Sequence, residues 1–106
     1  MNPQLRLLQY QRQAILTASP EQLVLKLYDL GIQACHLEDR SKLRRVLVEL
    51  ISGLNFEKGG EIASRLHALY NFCLTESATG SLKDVNEIIT GLRDVWREAV
   101  VSRKAA

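Results

Sequence analysis

Proline is nearly missing from this chain of 106 residues: it stands only at positions 3 and 20, so nothing beyond Pro20 forbids long helices. Cysteine is as scarce, with Cys35 and Cys73 each inside an apolar helical pattern. That is too little for a disulfide framework, and both are expected as buried, reduced thiols. No run reaches the roughly 18 uninterrupted apolar residues of a membrane span. The start of the chain, Met1 to Arg6, lacks the basic-then-apolar layout of a signal peptide, so the expectation is a cytoplasmic protein away from membranes. Charge of one sign is absent too: 14 Lys and Arg against 12 Asp and Glu leave +2. That is far from the basic field that binding to nucleic-acid phosphates requires.

Catalytic chemistry is equally short of material. No phosphate-cradling glycine loop, no His-Glu-x-x-His and no glycine-flanked nucleophilic serine occurs. His67 and Cys73 lie six positions apart, about 120° around a helix, so they do not share a face as metal ligands should. Cys35 and His36 diverge in the same way. No enzyme, cofactor or metal is expected. The densest basic cluster, Arg40, Lys42, Arg44 and Arg45, is short and lacks interleaved aromatics, which fits a solvated helix face.

What is present is helical periodicity within 46% apolar residues, enough for one core in one domain. Ser19-Pro20-Glu21-Gln22 reads as a capping box with proline at the first helical position, opening a first helix from about Pro20 to Leu37 with its seam on Leu23, Leu27, Leu30 and Ala34. A polar turn around Glu38 to Ser41 precedes a second helix marked by Leu43, Val46, Leu47, Leu50, Ile51 and Leu54. Gly59-Gly60 opens a third, with Ile62, Leu66, Leu69 and Cys73 on the seam and Ala63, Tyr70 and Leu74 flanking it. Ser81 caps a fourth that carries Leu82, Val85, Ile89, Leu92, Trp96 and Ala99, to about Val100. Short connections make antiparallel neighbours, so the fold class is all-α: an antiparallel up-and-down four-helix bundle.

The apolar arc spans about 140° on helix four, nearer 200° on helices two and three, and more on helix one. Either helix one is central, or apolar surface is left over for another chain. The candidate surplus is Leu25 and Ile32, Val48 and Ile51, and Ala63, Tyr70 and Leu74, each with ordinary core packing as its alternative.

Three stretches resemble the FliS-type flagellin export chaperones. The first is Tyr10 followed by Ile15-Leu16-Thr17-Ala18-Ser19-Pro20-Glu21-Gln22-Leu23 and Leu27-Tyr28-Asp29. The second is Leu54-Asn55-Phe56-Glu57-Lys58-Gly59-Gly60-Glu61-Ile62-Ala63, continuing to Leu66, Leu69-Tyr70 and Phe72. The third is the helix-four ending around Leu92 to Trp96. The resemblance implies a bundle domain, residues 19–106, whose hydrophobic grooves hold the disordered C-terminal segment of flagellin, prevent its premature polymerisation and help bring it to a component of the export gate. It also implies an N-terminal arm, residues 1–18, that covers part of a groove when flagellin is absent, with Tyr10, Leu5, Leu8 and Ile15 in the gating role. The sequence departs from that pattern where Leu27 to Gly60 is short and where Thr75-Glu76-Ser77-Ala78-Thr79-Gly80 replaces a longer continuation, so the bundle is expected to be shortened at the end holding these two turns. Gly31 stands one place after the position at which the family often has glycine.

Ordering a disordered guest costs roughly 1–2 kcal/mol per residue, which at about 25 cal/mol per Å² asks for on the order of 60 Å² of apolar burial per residue. Long grooves supply that and a compact pocket does not. The reading from another class is a self-associating helical adaptor with no flagellin binding; the expected state is a monomer or weak homodimer.

Overall fold

The computed structural model describes residues 20–105, with side chains through residue 102. The described residues form four helices: α1 Pro20–His36, α2 Arg40–Ser52, α3 Phe56–Thr79 and α4 Leu82–Ala105. The four-helix bundle expected from periodicity is what the chain forms. Helix α1 packs on both α2 and α4, α2 packs also on α3, and of the neighbouring pairs α3 and α4 touch least.

Local chemistry sets each boundary. Helix α1 ends in a Schellman arrangement: Asp39 N–H donates to the Ala34 carbonyl at 2.9 Å and Glu38 N–H to that of Cys35 at 3.1 Å, with Glu38 at φ 53° in the position that usually calls for glycine. Asp39 then caps α2 by accepting from Lys42 N–H at 3.0 Å, and Asn55 caps α3 by accepting from Lys58 N–H at 3.0 Å. The Ser81 hydroxyl accepts from Asp84 N–H at 3.2 Å, so Ser81 caps α4 as its sequence position suggests. The Ser19 capping box lies outside the described residues.

The core joins Tyr28, Ala34, Leu43, Val46, Leu47, Leu50, Tyr70, Cys73, Val85 and Ile89. Gly31 is buried between α2 and α4, where an added Cβ would stand 3.2 Å from Ile89 Cδ1 and 3.4 Å from Val46 Cγ1; glycine lets the three helices close together. The α2 and α4 seams match the sequence pattern, save that Ala99 is exposed. The α3 seam is rotated. Ala63 and Tyr70, expected on its flank, are buried, whereas Ile62 and Leu69, expected inside, are 69% and 38% exposed. On α1 likewise Tyr28 and Cys35 join Ala34 inside, and Leu23, Leu27 and Leu30 are only half-buried.

Two further corrections concern polar groups and helix ends. Arg40 is not part of a solvated face: its guanidinium donates to the carbonyls of Glu76 at 3.4 Å, Ser77 at 3.2 Å and Gly80 at 3.1 Å. It thereby satisfies the open C-terminus of α3 and ties together the two turns at one end of the bundle. Helix α4 runs to Ala105 rather than to about Val100, and α3 opens with the turn Phe56–Gly59 before a break at Gly60, whose φ 50° and ψ −124° are not helical.

Candidate functional site

At the end opposite the Arg40 clamp, α3 and α4 part and leave a groove of about 1060 Å³. Leu23, Val24 and Leu27 of α1 form one wall; Leu50 and Leu54 lie at the α2 end; Ile62, Ala63, Leu66 and Tyr70 of α3 form the other wall, with Trp96 of α4 reaching across. Polar groups sit among the linings at Glu21, Glu49, Ser52, Asn55 and Lys58.

Trp96 cannot swing in to fill this space without losing its anchors. Its indole N–H donates to the Glu21 carbonyl at 3.1 Å, and its ring meets that of Tyr28 edge-on, with centroids 6.4 Å apart and planes at 86°. Tyr28 in turn shares a 2.6 Å hydroxyl contact with Tyr70. Burial raises the Tyr28 phenol well above its ordinary pKa, and the hydrogen bond to Tyr70 and the field of that phenol add to the rise. Burial also raises Tyr70, while the bond it shares with Tyr28 pulls the other way. Both phenols stay neutral in the physiological range, so the groove has no ionised group at its floor.

The lip is made by the turn before Gly60. Its Lys58 and Gly59 line the groove, and Phe56 leans back on His67 of the same helix with ring centroids 5.6 Å apart. A continuous helix would hold residues eleven apart about three turns from each other, so the break at Gly60 is what folds this turn back. A Cβ on Gly59 would come within 2.9 Å of Ala63 Cβ, which explains why the residue before the break is also glycine.

The sequence-based candidates divide. Ala63 and Tyr70 line the groove, although both are almost wholly buried. Leu25, Ile32, Ile51 and Leu74 are half-buried elsewhere; the last three pack on the core, and Val48 is 43% exposed on α2. These five are not brought into the groove. Tyr10 and Ile15 lie outside the described residues. The groove residues that the reading assigns to core seams instead are Leu23, Leu27, Leu50, Leu54, Ile62, Leu66 and Trp96. They do continue the seams, and they become groove walls only because α3 and α4 diverge at this end, a tertiary fact no period reveals. Among the described residues no three His, Cys, Asp or Glu side chains cluster as metal ligands, and no helix is long and apolar enough to cross a membrane.

No solved structure matches the chain. It is 27% identical to the flagellar secretion chaperone FliS of Bacillus subtilis over 114 residues, covering 90% of this chain and 86% of that one. It is 30% identical to the flagellar secretion chaperone FliS of Campylobacter jejuni over 101 residues, covering 76% and 79%. The family described as flagellar protein FliS matches residues 34–103, which include α2, α3 and most of α4. With a family match over more than half its length and this kinship to two chaperones of the same name, the chain belongs to the flagellar protein FliS family.

Proposed function

We propose that this protein is a cytoplasmic flagellar secretion chaperone, without catalytic activity, that holds the disordered C-terminal segment of flagellin on apolar surface and so delays its polymerisation until export. The observation that carries this reading is the groove of about 1060 Å³ between α1, the end of α2, α3 and Trp96, with apolar residues on both walls. A guest that buries on the order of 60 Å² of apolar area per residue offsets its ordering cost, and a groove with walls from several helices offers apolar area along its length. Leu69, seven residues on from the groove-wall Ile62 and on the same exposed face of α3, extends that apolar surface along the helix.

In this reading the chain divides into an arm, residues 1–18, and a chaperone domain, residues 19–106. Tyr10 and Ile15 of the arm would cover apolar surface in the absence of guest. Ala63 and Tyr70 take part within the groove; Leu25, Ile32, Val48, Ile51 and Leu74 are a second set, along which the segment continues round the bundle. A component of the export gate is the expected later partner. Titration calorimetry with a flagellin C-terminal peptide tests the proposal: one peptide per chain with a large negative heat-capacity change is expected. Unchanged binding of a flagellin from which that segment has been deleted would overturn it.

A further inference from the structure

We propose that the turn Phe56–Gly59 is a flap that gates the groove, with Gly60 as its hinge and the Phe56–His67 ring contact as its latch. The inference rests on the guest-binding reading above and adds to it how a long segment enters and leaves. Gly53, Leu54, Asn55, Lys58 and Gly59 wall the groove where α2 hands over to α3. A segment that continues past the groove on that side has to cross the turn.

The turn is built to move as one body. It is closed on itself, because the Asn55 side chain accepts from Lys58 N–H at 3.0 Å and the Asn55 carbonyl from Gly59 N–H at 2.8 Å. Gly60, which joins it to the rest of α3, is the one residue of that helix with non-helical torsions, and a Cβ placed there would meet nothing within 4 Å. Packing therefore does not pin the hinge, and glycine passes through torsions closed to other residues. Leu54, half-buried against the core, tethers the other end, so the turn rotates about a line from Leu54 to Gly60. Its own seat is shallow: Phe56, Glu57 and Lys58 are all exposed. The contact that ties it back is the edge-on meeting of the Phe56 and His67 rings, 5.6 Å apart at 75°. His67 is steadied in turn by Asn71, whose amide nitrogen lies 3.3 Å from Nε2. One such aromatic pair shifts an equilibrium by about two- to tenfold, enough to keep the flap latched for most of the time and little enough to release it readily. The latch closes again behind the guest, so it governs rates rather than affinity.

Stopped-flow mixing of the full chain with a tryptophan-free flagellin C-terminal peptide, followed by Trp96 emission, tests the gate. Phe56→Ala and His67→Ala each remove the latch and leave the groove walls in place. Each is expected to speed association and dissociation alike, by about two- to tenfold, with affinity within about threefold of the unsubstituted chain; the double variant should be no faster than either single one. A residue that merely touches the guest changes dissociation alone. Faster dissociation with unchanged association, rates no faster in either variant, or effects that add in the double variant overturn the flap. If Trp96 emission ignores the peptide, the flagellin reading of the groove fails, and the flap is decided without a guest. Backbone ¹⁵N relaxation of the guest-free chain is then expected to show order parameters below about 0.6 at residues 56–60 in both variants, with residues 61–79 staying near about 0.85. Values at 56–60 that match the unsubstituted chain overturn it.

Discussion

Arg40 closes one end of the bundle with three hydrogen bonds to carbonyls at the C-terminal end of α3, of which, among the described residues, only that of Glu76 also accepts a backbone N–H, from Gly80. Replacing Arg40 by alanine is expected to cost roughly 1–3 kcal/mol in urea denaturation, whereas alanine at the exposed Arg44 or Arg45 should stay within about 0.5 kcal/mol of the parent. The buried thiols act on pH rather than on salt. Burial first, then the neighbouring Cys35 and Glu76, push Cys73 from 9.0 up to about 11. The unfolded chain therefore loses this proton near pH 9 while the native chain keeps it, so stability is full below pH 9 and falls as pH rises towards 11. Burial raises Cys35 in the same direction. Denaturation midpoints measured from pH 7 to 11 should fall above pH 9, and a Cys73→Ala variant should show a shallower fall. The native thiols should also resist disulfide reagents at pH 8 until the chain is unfolded.

At the scale of an element, the decisive device is the break in α3. Gly60 holds φ 50° and ψ −124°, which a side chain resists, at a cost of about 1–3 kcal/mol. Gly60→Ala should lower stability by that amount, or straighten the helix and draw Phe56 away from His67; the loss of the Phe56–His67 ring contact in NMR spectra would report the second. Gly31→Val should cost roughly 1–3 kcal/mol in urea, since its site between Ile89 and Val46 is already close-packed. The helices also show what the sequence makes legible. The α2 core is readable because Leu43, Val46, Leu47 and Leu50 form one stripe against polar neighbours. The α3 core is not, because Ile62, Ala63, Leu66, Leu69, Tyr70 and Phe72 cover too wide an arc for period alone to choose its inward side. The inward side is chosen by Tyr28, whose hydroxyl reaches Tyr70 from 42 residues away. Arg40 reads as surface for a similar reason: its acceptors lie 36 to 40 residues on.

In the whole molecule the bundle is tight at one end and open at the other. Arg93 joins α4 to α1 through Asp29 at 3.5 Å, and Trp96 joins them again through the Glu21 carbonyl, so α4 stays with α1 while α3 stays with α2. That pairing leaves the groove where α3 and α4 part. The sequence therefore discloses four helices, the Ser81 cap and a surplus of apolar surface. It does not disclose where the surplus gathers, because Leu23, Leu27 and Leu66 are core residues in an ideal bundle and walls in this one. Trp96 is the single tryptophan of the chain and lines the groove, so its emission reports directly on occupancy. Titrating the protein with a tryptophan-free flagellin C-terminal peptide should shift that emission to shorter wavelength and saturate at one peptide per chain. Peptide binding that calorimetry detects while the Trp96 spectrum stays unmoved would contradict the groove as the guest's seat.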